Sequence, residues 1–323
     1  SMVAILTDKD DYESKKPVHS LYVYSAKSGE TKRIAEEGLN EGWWIPSGSS
    51  IRWNKASTRL MIGLQRKPSD EEPKTEFDDE KVSFDVWTWN DVELMPQQLL
   101  RVNSEKNRQY DAIYEVKSGK VVQIENEMHK SVTIPSEGTP QYGMSVVGLA
   151  SGAGATPDDI YLVNLSDGST KLISKNDYIA MAFSPSGKWI TGFDLMAKKS
   201  FVMETKSGKK TWLDDRFPYP IYDDERDTPF GGSPYGSLGF TKDENTVFVY
   251  DKYDLWSLNL TSDDDAECVT NGYGRRRSTR LREAGFRKSD EVYFDPKQEI
   301  ILSGFQERTK RASIFKDRLS GDD

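Results

Sequence analysis

One cysteine, Cys268, stands among 323 residues, so no disulfide forms within the chain and its stability has no covalent staple. That does not fix a compartment, because large secreted proteins often manage without disulfides. Histidine is nearly as scarce, with only His19 and His129. A metal site built on two histidines this far apart needs carboxylate help at suitable spacing, and none is present, so neither a metal nor a cofactor is expected. Both histidines lie beside strand-like segments and read as surface or packing residues. No apolar run approaches the roughly 18 residues of a membrane helix. Cationic excess is missing too: 44 Lys and Arg against 53 Asp and Glu leave a net charge of −9, which draws the surface neither to nucleic acid nor to an anionic membrane. The Gly-Xaa-Ser-Xaa-Gly elbow that exposes a nucleophilic serine is also absent. Its nearest miss is Gly231-Gly232-Ser233-Pro234-Tyr235, where the second glycine comes one residue late at Gly236 and Pro234 stands where a helix would begin. Ser233 is therefore not expected to be a nucleophile, and no catalytic residue is assigned.

What the sequence does have is strand signal. Short runs rich in Val, Ile, Tyr and Phe, bounded by Gly, Asp, Asn and Ser, recur at 21–24, 59–64, 111–116, 160–163 and 247–250. Amphipathic helices are scarce. The best candidate, Trp89 to Asn107, contains Pro96 and is expected to be broken there into an excursion between strands.

Aligning the turns exposes a repeat. Units of apolar strand, Gly-containing polar turn and second strand centre on Gly29, Gly119, Gly168 and Gly208, separated by 90, 49 and 40 residues. The last two gaps match the roughly 40–50 residues of a four-stranded propeller blade, and the first is about two periods. A second hairpin type, an aromatic residue followed by a polar turn and an apolar strand, spans 51–64, 183–190, 240–250 and 294–302. The two types alternate, and two hairpins make one blade. The expectation is an all-β propeller of four-stranded antiparallel blades, about five to six of them with the first and last incomplete, so an incomplete ring, filling 1–323 with WD-like repetition. Segments 67–81 and 214–236, rich in charge, Pro and Gly, are expected to be surface excursions. Phe183, Trp189, Phe240 and Trp256 are expected in the core between blades, with most of the eight tryptophans.

Two charge clusters invite a binding reading. Asp263-Asp264-Asp265 lacks the central glycine of a calcium loop and reads as a solvated turn. Arg275, Arg276, Arg277, Arg280 and Arg282, with Arg287 and Lys288, form the one basic cluster in an acidic chain. These arginines suit interdomain or ligand contacts, to an acidic surface or a carboxylate. A charged sheet edge that resists aggregation accounts for them as well.

Several stretches resemble one family in the same order. They are Phe84-Asp85-Val86-Trp87-Thr88-Trp89-Asn90-Asp91 through Gln98, Phe183 to Ile190, Tyr222 to Pro229, Pro234-Tyr235-Gly236, Val249 to Trp256 and Val269 to Arg275. Together they are similar to the propeller of large Bacteroidetes-type serine peptidases of the prolyl oligopeptidase family. Asn90 stands where that pattern has Lys, and the spacing around Pro96 is shifted. The resemblance runs from about residue 3 to 316. It implies a propeller without its catalytic α/β-hydrolase domain, periplasmic or secreted in the parent protein, with the parent's own C-terminal hydrolase domain and peptide substrates as partners. The implied role is to cap the active site and filter peptides by size; a stand-alone scaffold propeller that binds protein partners is the alternative. The opening Ser1-Met2 and the charged tail suggest chosen boundaries, and the parent is expected to continue past Asp323 into a hydrolase with a nucleophile elbow.

Overall fold

The computed structural model describes residues 2–13, 19–34, 39–67, 86–87, 94–148, 157–228, 232–288 and 290–320. The chain folds as two compact units, residues 1–177 and 178–323, and each is all-β with strands arranged as in a propeller. Most of the 67–81 excursion, and most of the 84–98 stretch with Trp89, lie outside the described residues.

In the first unit, β1 (Met2–Thr7), β2 (Ser20–Ser25) and β3 (Thr31–Arg33) make one antiparallel sheet. The second sheet holds β4 (Trp43–Trp44), β5 (Ile51–Trp53), β6 (Arg59–Arg66), β7 (Tyr110–Glu115) and β8 (Lys120–Gln123). The third is β9 (Tyr142–Gly148), β10 (Asp158–Asn164) and β11 (Thr170–Asp177). Side chains on a strand point to alternate faces, and β7 shows the consequence. Tyr110, Ala112 and Tyr114 pack with Leu21 and Val23 of the first sheet, while Ile113 packs on the other face with Val163 and Leu165 beside the third. The middle sheet is thus buried on both sides, as a blade between two blades is.

The second unit repeats the scheme. Strands β12 (Ile179–Phe183), β13 (Trp189–Asp194), β14 (Lys199–Glu204) and β15 (Lys210–Trp212) form a four-stranded meander. Next come β16 (Ser237–Thr241), β17 (Thr246–Tyr250), β18 (Leu255–Asn259) and β19 (Glu267–Cys268), then β20 (Thr279–Glu283), β21 (Tyr293–Phe294), β22 (Glu299–Gln306) and β23 (Ala312–Arg318). On β17, Val247 faces a cluster with Val202 of β14, and its neighbour Phe248 faces one with Leu281 and Leu302. Each such buried side chain contributes about 1.5–3 kcal/mol.

Gly29, Gly119, Gly168 and Gly208 all take left-handed φ, between 71° and 75°. Each donates its N–H to the carbonyl four residues back at 2.8 Å, a backbone shape that a Cβ strains and glycine adopts freely. The repeat read from their spacing is therefore a repeat of one turn geometry. Three expectations need correction. Pro96 does not break the helical segment, because α1 (Met95–Lys106) places it in the first turn, where its missing N–H has no partner to lose. Phe294 does not pair with the strand that follows it: β21 pairs in parallel with β16, Phe240 opposite Tyr293. Phe183 and Trp189 are only half-buried, whereas Phe240 and Trp256 are buried. Trp43 is also buried, while Trp87 and Trp212 are exposed. In the 214–236 segment Phe217 and Ile221 pack into the core and Glu225 to Asp227 are exposed.

Candidate functional site

A dense polar construction of the second unit begins at the tight connection from β17 to β18. Asp251, Lys252, Tyr253 and Asp254 span it, closed by the Asp251 N–H on the Asp254 carbonyl at 3.1 Å. The Asp251 carboxylate accepts the N–H groups of Tyr253 and Asp254, each at 2.6 Å, the side-chain-to-backbone turn that Asp favours. Asp254 then reaches forward. Its carboxylate accepts the Thr270 hydroxyl at 2.7 Å and the N–H groups of Gly274 and Arg275 at 2.8 and 2.9 Å. Both acids are buried, and a buried carboxylate is tolerable only with its oxygens satisfied in this way. A Cβ on Gly274 would lie 2.6 Å from the Tyr253 carbonyl and 2.9 Å from the Asp254 carboxylate, so only glycine fits.

Two of the flagged arginines complete the cluster. Arg275 donates to Asp251 Oδ2 at 2.8 Å, and its guanidinium lies 3.4 Å from the centre of the Tyr219 ring and 5.4 Å from that of Tyr253. Arg282 donates to the carbonyls of Leu281 at 2.7 Å and Asp251 at 2.9 Å, and its guanidinium lies 4.6 Å from the Tyr250 ring. Burial holds the Arg282 pKa below the usual guanidinium range. Its hydrogen-bond partners are carbonyls, and among the described residues no carboxylate stands within 4.0 Å of it. Beside it the Tyr235 hydroxyl is pushed up to about 12, chiefly by burial.

Arg282 also borders a groove on the open face of the sheet β20–β22–β23. Register puts Arg280 opposite Phe305 and Arg282 opposite Ser303, with Ala312 and Ile314 next in line on β23. These six side chains line a cavity of about 390 Å³. Arg280 lies over Phe305, 5.2 Å from the ring centre, with Glu307 at 3.6 Å. Arg276 turns back to the Asn271 carbonyl at 2.5 Å, and Arg277 is exposed. The arginine run therefore splits: Arg275 is structural, Arg280 and Arg282 face the groove, and Arg276 and Arg277 point elsewhere.

The remaining candidates take structural places. Ser233 is exposed on a segment that passes through a bridge between Tyr222 and Pro234 into β16, so no helix follows it. His129 is buried, with Nδ1 3.2 Å from the Ser145 hydroxyl and its ring edge-on to Tyr161. His19 is half-buried. Asp263, Asp264 and Asp265 are exposed, and Arg216 donates to the Asp264 carbonyl at 2.8 Å. Among the described residues no group of three or more His, Cys, Asp or Glu is placed to hold a metal. Sequence reasoning assigned no role to Asp251, Asp254, Tyr219 or Tyr235; the Asp-Xaa-Xaa-Asp spacing was the available signal.

No family model matches the chain, and no curated protein matches it. Among solved structures, the β-propeller domain of the trilobed protease from Pyrococcus furiosus is 14% identical, with a TM-score of 0.34, over 98% of this chain and 75% of that one. A Pyrococcus horikoshii acylaminoacyl peptidase is 14% identical with a TM-score of 0.38, and the chain spans 43% of its length. TolB from Acinetobacter baumannii is 10% identical with a TM-score of 0.32, and 63% of it is covered.

Proposed function

We propose that the chain is the non-catalytic propeller region of a serine peptidase of the prolyl oligopeptidase family, capping the active site and filtering peptide substrates. One observation carries this reading. Stretches that resemble the family, separate in sequence, meet in one construction. Asp254, from the 249–256 stretch, holds Thr270, Gly274 and Arg275 of the 269–275 stretch. Lys252 pairs at 2.7 Å with Glu225 of the 222–229 stretch. Residues that serve one structural knot are expected to persist together, which is what a joint resemblance in fixed order requires.

On this reading the parent carries a hydrolase domain after Asp323 and is periplasmic or secreted, and the chain by itself hydrolyses nothing. A hydrolase active site completed only when a propeller covers it would admit short peptides and refuse folded proteins. The test is to read the gene past Asp323 and to assay the joined domains. The expected result is an α/β region with a Gly-Xaa-Ser-Xaa-Gly elbow ahead of an Asp and a His, which cleaves short peptides when joined to this chain. A parent with no such region sinks the reading and leaves a stand-alone scaffold.

A further inference from the structure

Charge is distributed unevenly along the chain. Residues 275–318 hold 13 Lys and Arg against 7 Asp and Glu, a net of +6, in a chain whose total is −9. Within that basic stretch, Arg282 is half-buried and its bonds go to carbonyls. Taking a guanidinium out of water without an anionic partner costs free energy, so an anion that reached it would be bound with little further desolvation. The cavity at its side offers a second guanidinium, Arg280, whose nearest acid, Glu307, stands 3.6 Å away; the Ser303 hydroxyl on its wall already donates to the Arg282 carbonyl at 3.1 Å. Phe305, Ala312 and Ile314, the last 65% exposed, make the apolar part of the groove, beside Ser313.

We propose that this groove binds a carboxylate carried on an apolar peptide, with the carboxylate between Arg280 and Arg282 and an apolar side chain over Phe305 and Ile314. The spacing follows from the sheet. Strands lie about 4.8 Å apart, so β20 to β23 is about 10 Å, which an extended peptide crosses in about three residues. The ligand is thus a short segment with an apolar residue two or three positions from a carboxylate. Planar guanidinium groups hold carboxylates through paired N–H donors. A terminal carboxylate and an Asp or Glu side chain offer the same chemistry there. The inference stands apart from the peptidase reading, because it concerns this chain alone and needs no catalytic domain.

Fluorescence anisotropy on the full 323-residue chain tests it with three labelled peptides. The first is Gly-Gly-Leu-Ala-Ala with a free C-terminus; the second is its C-terminal amide; the third is the amide with the last Ala replaced by Asp. We expect the first, the third, or both to bind, the amide to bind at least tenfold more weakly, and binding to weaken as salt rises from about 50 to about 500 mM. Preference between the first and third separates a terminal from a side-chain carboxylate. Arg280→Glu, at a half-exposed position, is expected to weaken binding at least tenfold with the thermal transition unchanged. Arg282→Lys, which keeps the charge and loses the fork, is expected to weaken it severalfold. Equal binding of the plain amide, indifference to Arg280→Glu, or no binding of any peptide at about 1 mM overturns the proposal. Loss of peptidase activity in the parent would leave these outcomes untouched, and so the two readings fail separately.

Discussion

Glu244 accepts the hydroxyl of Ser184 at 2.6 Å across 60 residues of sequence, tying the turn between β16 and β17 to the corresponding turn between β12 and β13. The same carboxylate takes the Ser186 N–H and hydroxyl, each at 2.7 Å, and the Tyr293 hydroxyl at 3.2 Å. The Glu244 carbonyl accepts Trp189 Nε1 at 2.7 Å. One buried acid thus gathers the Phe183–Ile190 hairpin of one sheet with its own hairpin and β21, which pairs with β16 in the next sheet. Together with Lys188, which donates to Asn245 Oδ1 at 2.7 Å, it gives the two hairpins directional contacts that apolar packing alone does not supply.

Glu244→Ala is expected to destabilise the 178–323 unit by about 3 kcal/mol, because several donors lose their shared acceptor at a dry site. Glu244→Gln keeps one acceptor oxygen and should cost less, about 1–2 kcal/mol. Urea unfolding followed by tryptophan fluorescence reads both. A loss under 1 kcal/mol in the alanine variant would show that the stitch is ornamental.

The elements visible in the sequence were those fixed by local chemistry. Gly29, Gly119, Gly168 and Gly208 announced their turns because few other residues take positive φ at low cost. Strands announced themselves by alternation. Pro96 misled because its effect depends on whether it sits in the first turn or the interior of a helix, and the boundary was not fixed by a cap: Leu94 makes no side-chain cap bond. The parallel pairing of β21 with β16 joins residues about fifty apart, and nothing local encodes it. For the site, the basic cluster was legible as composition but not as geometry. Successive helical residues point about 100° apart, so Arg275, Arg276 and Arg277 on α2 (Tyr273–Arg277) cannot share one target. The role of Asp254 depends on groups 16 to 21 residues away, beyond any window of periodicity.

Asp254→Ala removes the acceptor for Thr270, Gly274 and Arg275 and leaves α2 held to the β17–β18 turn by the bond from Arg275 to Asp251. The expected cost is about 3 kcal/mol, accompanied by faster amide exchange at Gly274 and Arg275. Asp254→Asn should retain part of the stability but not the protection of both amides. Native-state hydrogen exchange distinguishes these outcomes, and unchanged protection at 274–275 in the alanine variant contradicts the assignment.

Acid pH should reveal the pair at the end of α1. The Arg108 guanidinium beside Glu105 holds its carboxyl well below the ordinary value of 4.5, at about 2, and Lys130 stands 3.6 Å away. A carboxyl whose pKa is lower in the folded state stabilises that state above the unfolded value and ceases to do so as pH falls through the folded one. Any contribution of Glu105 is therefore complete above about 4.5 and disappears towards about 2. A carbon-detected NMR titration should place the Glu105 midpoint in the lower part of that window and return it to the ordinary range in Arg108→Ala. A midpoint already near 4.5 in the unaltered chain refutes the pairing.

The last prediction concerns the close approach of two strands in the β12–β15 sheet. Gly192 lies opposite Phe201 in register, and a Cβ on Gly192 would stand 2.2 Å from the ring carbon Cζ. Phe201 is fully buried, and Trp212 lies edge-on to it with ring centroids 5.8 Å apart, so a shift of the ring disturbs that contact. Gly192→Ala is therefore expected to destabilise the unit by about 1–3 kcal/mol through overpacking, although alanine normally suits a strand better than glycine does. The control is Phe201→Leu, which alone opens space and should cost about 1–2 kcal/mol. Combining the two should recover part of the loss, because the methyl group added at 192 occupies volume that the ring vacated. A double-mutant cycle with a favourable coupling above about 0.5 kcal/mol demonstrates the contact. Strict additivity, or an alanine variant as stable as the parent chain, would mean that the ring does not rest on this glycine.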